Sequence, residues 1–127
     1  MDGALSPGLA ANTAAVLAMS LGHRVQGLIG SDLPDGNGNN HLGITNTPIP
    51  ILTATAGQVK EIREQAAGDD RLLVVDFTDH AQRSTTYDAY ADALRDATGE
   101  SITYLGVALY GPSKPVLRLT GSLALLR

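Results

Sequence analysis

Two short segments hold most of the side chains that could do chemistry. Asp76, Thr78, Asp79 and His80 close the apolar run Leu72–Phe77. Tyr110, Gly111, Lys114 and Arg118 close a second run, Ile102–Tyr110. A carboxylate next to a histidine is a general-base arrangement: Asp79 would orient His80, and His80 would activate water. Lys114 and Arg118 are cations suited to an anion. The Ser6-Pro7-Gly8 helix start offers free N–H donors to an anion or a carbonyl oxygen, and Asn12 follows one turn on. In open α/β sheets ligands favour the crevice at the carboxyl ends of strands, where these segments would meet. The catalytic expectation is therefore Asp79 and His80. The ligand-binding expectation is Ser6, Gly8, Asn12, Asp76, Thr78, Tyr110, Lys114 and Arg118. With the base working, the natural reaction is ester hydrolysis; without it, the set binds a small polar or anionic ligand. Each residue also has a plainer role. Asp76 can accept a loop N–H, His80 can be solvated, Asn12 can make a border hydrogen bond, and Lys114 with Arg118 can form a solvated helix face.

Elements that would position these groups are readable along the chain. Ser6 can cap and Pro7 can open a helix over Leu9–Leu21, closed by Gly22. Gly30–Asn40 reads as a surface loop, and its acidic residues miss calcium-loop spacing, since Asn40 and Asn46 stand at the sixth and twelfth positions from Asp35. The prolines at 48 and 50 restrict Ile44–Leu52 to an edge strand. Thr55-x-x-Gln58 is a capping box. It opens a helix with Val59, Ile62 and Ala66 inward and Lys60 paired to Glu64 outside, ending at Gly68. Ser84–Thr86 caps a third helix with Tyr87, Tyr90, Ala91 and Leu94 on one face. A short helix ends at Gly121 and an apolar tail, Leu123–Leu126, follows. Helices alternating with buried strands predict a single α/β domain over 1–127, a three-layer α/β/α sandwich.

Composition narrows the classes of function. The chain has 127 residues with 9 Lys and Arg against 13 Asp and Glu, a net charge of −4. Nucleic-acid binding shows as a basic excess or stripe, so tRNA is a disfavoured partner and a small molecule the expected one. There is no cysteine, which excludes disulfides, thiol catalysis and thiolate metal sites and fits a reducing cytoplasm. No carboxylate or histidine pair has metal spacing, so neither metal nor cofactor is expected. No apolar stretch approaches the ~20 residues of a membrane span.

The segments SPGLAANTAAVLAMSLG, HLGI…PIPIL, LLVVDF and YLGVALYGPSKPVLRLTGSLALLR, in this order, resemble the "domain of unknown function 2000" family over nearly the whole chain. That resemblance implies a fold similar to type II peptidyl-tRNA hydrolase, with a small mixed sheet. Val107–Leu126 resembles the hydrolase's apolar strand, Gly-Pro turn and Thr-Gly segment. Ala10-Ala11-Asn12 stands where the hydrolase has Ala-Ala-Gln. Two features depart. An apolar strand precedes the Leu-x-Pro-Gly turn in the family, whereas only Met1–Ala4 precede Leu5 here; this predicts a sheet without its first strand, marginal stability, or completion by another chain as a homodimer. The lysine that opens the hydrolase's first helix falls at Leu9. The hydrolase's Asp…Thr-Gln loop has an echo in Asp76–Gln82, with its spacing off by one. The resemblance thus supports the fold more than peptidyl-tRNA cleavage. Three functions remain: ligand binding, acyl or peptidyl ester hydrolysis, and an interaction module.

Overall fold

The computed structural model describes all residues, Met1–Arg127. Its centre is a two-stranded antiparallel ladder, β4 (Leu73–Thr78) with β5 (Tyr104–Tyr110), paired from Leu73↔Tyr110 to Thr78↔Tyr104 with a bulge at Phe77/Thr78. Both strands arise from the continuous apolar runs seen in sequence, because both are covered on two faces. On one face lies α1 (Pro7–Arg24), where Leu17, Phe77 and Leu105 form a small core. On the other lies α2 (Ala56–Ala67), where Val59, Ala54 and Tyr104 form a second. The α/β class and the layering of helices on both faces of the strands therefore hold. Only 12 of 127 residues are buried, so each core is shallow.

α1 starts where Pro7 predicts, but Ser6 makes no side-chain cap bond. The helix does not stop at Gly22. It continues to Arg24, and the turn is made instead at Gly27, whose φ is +79°. The 30–40 loop is an ordered hairpin: β1 (Leu33–Pro34) pairs with β2 (Asn40–His41). Asp35 organises its tip by accepting from the N–H groups of Asn37 and Asn39 at 2.8 and 2.9 Å. The expected edge strand at 44–52 shrinks to β3 (Leu52–Thr53), since Pro48 and Pro50 supply no N–H upstream. The apolar tail becomes β6 (Ala124–Leu125), antiparallel to β3.

The capping box of α2 forms as read, with Gln58 N–H to Thr55 Oγ1 at 3.3 Å and Thr55 N–H to Gln58 Oε1 at 2.9 Å. Lys60 departs from expectation. Its ammonium donates to the Gly99 carbonyl at 2.8 Å and makes no pair with Glu64. Between β4 and β5 run α3 (Asp79–Arg83), capped by Thr78, and α4 (Tyr87–Asp96), capped by Thr86. α5 (Ser113–Thr120) follows β5 and ends at Gly121.

The β3–β6 ladder is joined to the β4–β5 ladder by the first three residues. Asp2 N–H donates to Leu105 O at 2.9 Å, and Gly3 N–H donates to Ala54 O at 2.9 Å. Asp2 bridges Ala54 in parallel sense. The spatial order is β6, β3, Met1–Gly3, β5, β4, a small mixed sheet.

Candidate functional site

The residues predicted to act together fall into two groups at opposite ends of the central ladder. Because β4 and β5 are antiparallel, the carboxyl end of one lies beside the amino end of the other. Thr78 and Tyr110 are five strand steps apart, about 16 Å at the usual rise. A single crevice holding Asp76, Thr78, Asp79, His80, Tyr110, Gly111, Lys114 and Arg118 is therefore not formed.

One group surrounds the start of α1 and the end of β4. Asn12 Nδ2 donates to Gln82 Oε1 at 3.1 Å, which ties α1 to α3 and brings the Ser6–Gly8 turn to this end. Asp79 does not orient His80. Neighbours in a helix turn point apart, and one oxygen of Asp79 accepts from Thr103 N–H at 3.1 Å while the other lies 3.4 Å from Arg83 Nη2. The Nε2 of His80 is buried and has no hydrogen-bond partner; the same is true of Thr13 Oγ1 on α1. Thr78, 1% exposed, caps α3 through Ala81 N–H at 3.3 Å. Asp76 points to the opposite face and accepts from Arg63 Nε at 2.9 Å.

The other group surrounds the β5–α5 turn. Asp70, Arg71, Leu72, Leu73, Tyr110, Gly111 and Pro112 line an open depression of about 720 Å³. Gly111 permits the close approach of its walls, because a Cβ there would stand 2.6 Å from the Arg71 carbonyl oxygen. Asp69 gathers the cations: Arg71 Nε and Nη2 reach its two oxygens at 2.7 and 2.6 Å, and Arg118 Nη2 lies at 3.7 Å. The hydrogen bond from the Arg71 guanidinium holds the Asp69 carboxyl down at about 2. Lys114 stands exposed in the first turn of α5, whose N-terminus has no side-chain cap. The participation of Arg71 and Asp69 was missed in sequence. Their only signal is a charged Asp-Asp-Arg turn just before an apolar strand.

No group of three or more His, Cys, Asp or Glu side chains is placed to hold a metal ion. No helix is long and apolar enough to cross a membrane. No curated protein matches the sequence. A protein of unknown function from Agrobacterium tumefaciens strain C58 has a similar fold, with a TM-score of 0.89 and 18% identity over 98% of this chain and 92% of that one. The profile of the family described as "Protein of unknown function (DUF2000)" matches residues 1–127, and the chain belongs to that family.

Proposed function

We propose that this chain binds a small anionic ligand, a carboxylate or phosphate compound, at the β5–α5 turn. The observation that carries the reading is the open depression between Arg71 and Gly111-Pro112, with Arg118 drawn to its edge by Asp69. Arg71 would turn its planar fork from the Asp69 oxygens to the carboxylate or phosphate oxygens of the ligand. Lys114 and the uncapped N–H groups of α5 add positive potential at the rim. A cysteine-free chain of this kind suits the cytoplasm. The test is a thermal melt against inorganic phosphate and small dicarboxylates, since a ligand of the folded form raises Tm. Arg71→Ala and Lys114→Ala should each abolish the rise while leaving the unliganded protein folded. An unchanged rise in both variants removes the site.

A second reading, hydrolysis of an acyl or peptidyl ester such as peptidyl-tRNA, is favoured by the unpartnered Nε2 of His80 near the start of α1. That nitrogen is closed off from solvent, so it would meet a water or a substrate hydroxyl only once the side chains around it open. Without a carboxylate behind it, His80 would act alone. Cleavage of a peptidyl ester that disappears in His80→Ala and survives in Arg71→Ala would establish this reading over the first.

A further inference from the structure

The segment after α1 is a bare ribbon. It starts beyond Gly27, where Asn46 N–H donates to Leu28 O and Gly30 N–H donates to Ile44 O, both at 2.9 Å, and Ile29 bridges Thr45. β1 and β2 carry it on in the same register to the Asp35–Asn39 turn. These two strands pair with each other and with no other strand. Every residue from 31 to 42 is exposed. Each limb carries two bare apolar side chains: Ile29 and Leu33 are 60% and 67% exposed, and Leu42 and Ile44 are 78% and 80% exposed. A two-stranded ribbon is marginal in water without cover.

Its composition selects the kind of cover. Between Arg24 and Lys60 there is no Lys, Arg or Glu. The two aspartates of the ribbon are engaged inside it: Asp35 holds the tip, and Asp32 accepts from Gly43 N–H at 2.9 Å and from Asn40 Nδ2 at 3.2 Å. Without a cation the ribbon has nothing to hold a nucleic acid or an anionic membrane. Bare aliphatic side chains with few charges are the composition of the centre of a protein interface.

The surface of the whole chain indicates which protein. A compact monomer of 13.2 kDa exposes about 6,400 Å² by the usual scaling with mass. This chain exposes 8501 Å². The excess of about 2,100 Å² lies within the range of about 1,000–2,500 Å² that each partner of an obligate homodimer buries. A surplus of that size needs cover whenever the chain is folded, and the partner always at hand is a second copy. Two like ribbons can meet across a two-fold axis, because no free charge in the middle of one repels the other.

We propose that the Leu28–Asn46 ribbon is a dimer contact, in which two copies of this chain bury Ile29, Leu33, Leu42 and Ile44 against each other. The test is sedimentation velocity of the whole chain over a concentration series, joined to amide hydrogen exchange. The mass should be twice 13.2 kDa at micromolar concentration, and amides of Leu28–Asn46 should exchange faster on dilution as the dimer parts. Ile44→Asp puts an unpaired charge into the contact and should raise the dissociation constant about a hundredfold or more. Met19→Asp places the same charge on α1, at a residue 82% exposed, and should leave the mass unchanged. Should Ile44→Asp fail to fold, the dilution dependence of exchange in the unmodified chain decides alone. An unmodified chain of 13.2 kDa at every concentration overturns the proposal, whether the ribbon then takes phosphatidylcholine vesicles, another protein or nothing. A dimer that survives Ile44→Asp, or one whose dilution changes exchange along β5 alone, overturns it as well and puts the contact elsewhere.

Discussion

Asp69 is the residue whose ionisation is most strongly set by the fold around the proposed anion site. Its carboxyl, ordinarily near 3.8, is held at about 2 by the Arg71 hydrogen bonds. A depressed carboxyl adds stability that is complete above the unfolded value, and that stability is lost as pH falls through about 2. Carboxyl-detected NMR of the folded chain should therefore find the Asp69 midpoint near 2, and Arg71→Ala should return it toward 3.8. A midpoint near the ordinary value in the unmodified chain would mean that Arg71 is already free to take a ligand. Asp69 and a bound anion compete for the same fork, so added phosphate should raise the Asp69 midpoint as Arg71 turns away. No movement on saturation would show that the anion binds without Arg71.

At the scale of elements, what could be read was local. Pro7 at a first turn, the Thr55–Gln58 box, two apolar runs and Gly121 at a helix end each act within a few residues, and each appears where expected. The box is the most testable. Thr55→Ala removes the acceptor for Gln58 N–H and should cost about 1 kcal/mol. Gln58→Ala removes the reciprocal bond and should cost less, since the Thr55 N–H is exposed to water. Equal, negligible losses in urea unfolding would show that α2 is held by Val59 and Ala66 alone. The relative direction of β4 and β5 was not readable. A buried run looks the same in a parallel or antiparallel sheet, and the segment between them is long enough for a parallel crossover. That single long-range fact separates Asp79 and His80 from Tyr110, Lys114 and Arg118. The Asp79–His80 pair is undone by another long-range contact that sequence hides: Asp79 is drawn to Thr103, 24 residues away.

For the whole molecule, the weak point is the join between the two ladders. Everything from β6 to β3 is held to β5 and β4 through Met1–Gly3 and the packing of α2. Met1 Cα lies against Gly106 while Asp2 pairs with Leu105, so a chain continued backward from Met1 runs antiparallel to β5, toward Tyr110. Beyond Leu105 no hydrogen bond joins β5 to anything but β4, and Ile49, Ile51 and Tyr110 are 58%, 38% and 40% exposed nearby. An extended segment placed there would gain ladder bonds and apolar cover together. A short run of alternating Val and Thr fused ahead of Met1 should therefore raise Tm. A gain of 1 kcal/mol corresponds to about 4 °C for a domain of this size. A Gly-Ser fusion of equal length should leave Tm where it is, because it brings flexibility without cover. If both fusions melt alike, the outer edge of β5 is not a strand site, and the shallow cores on the two faces are sufficient to hold the sheet as it stands.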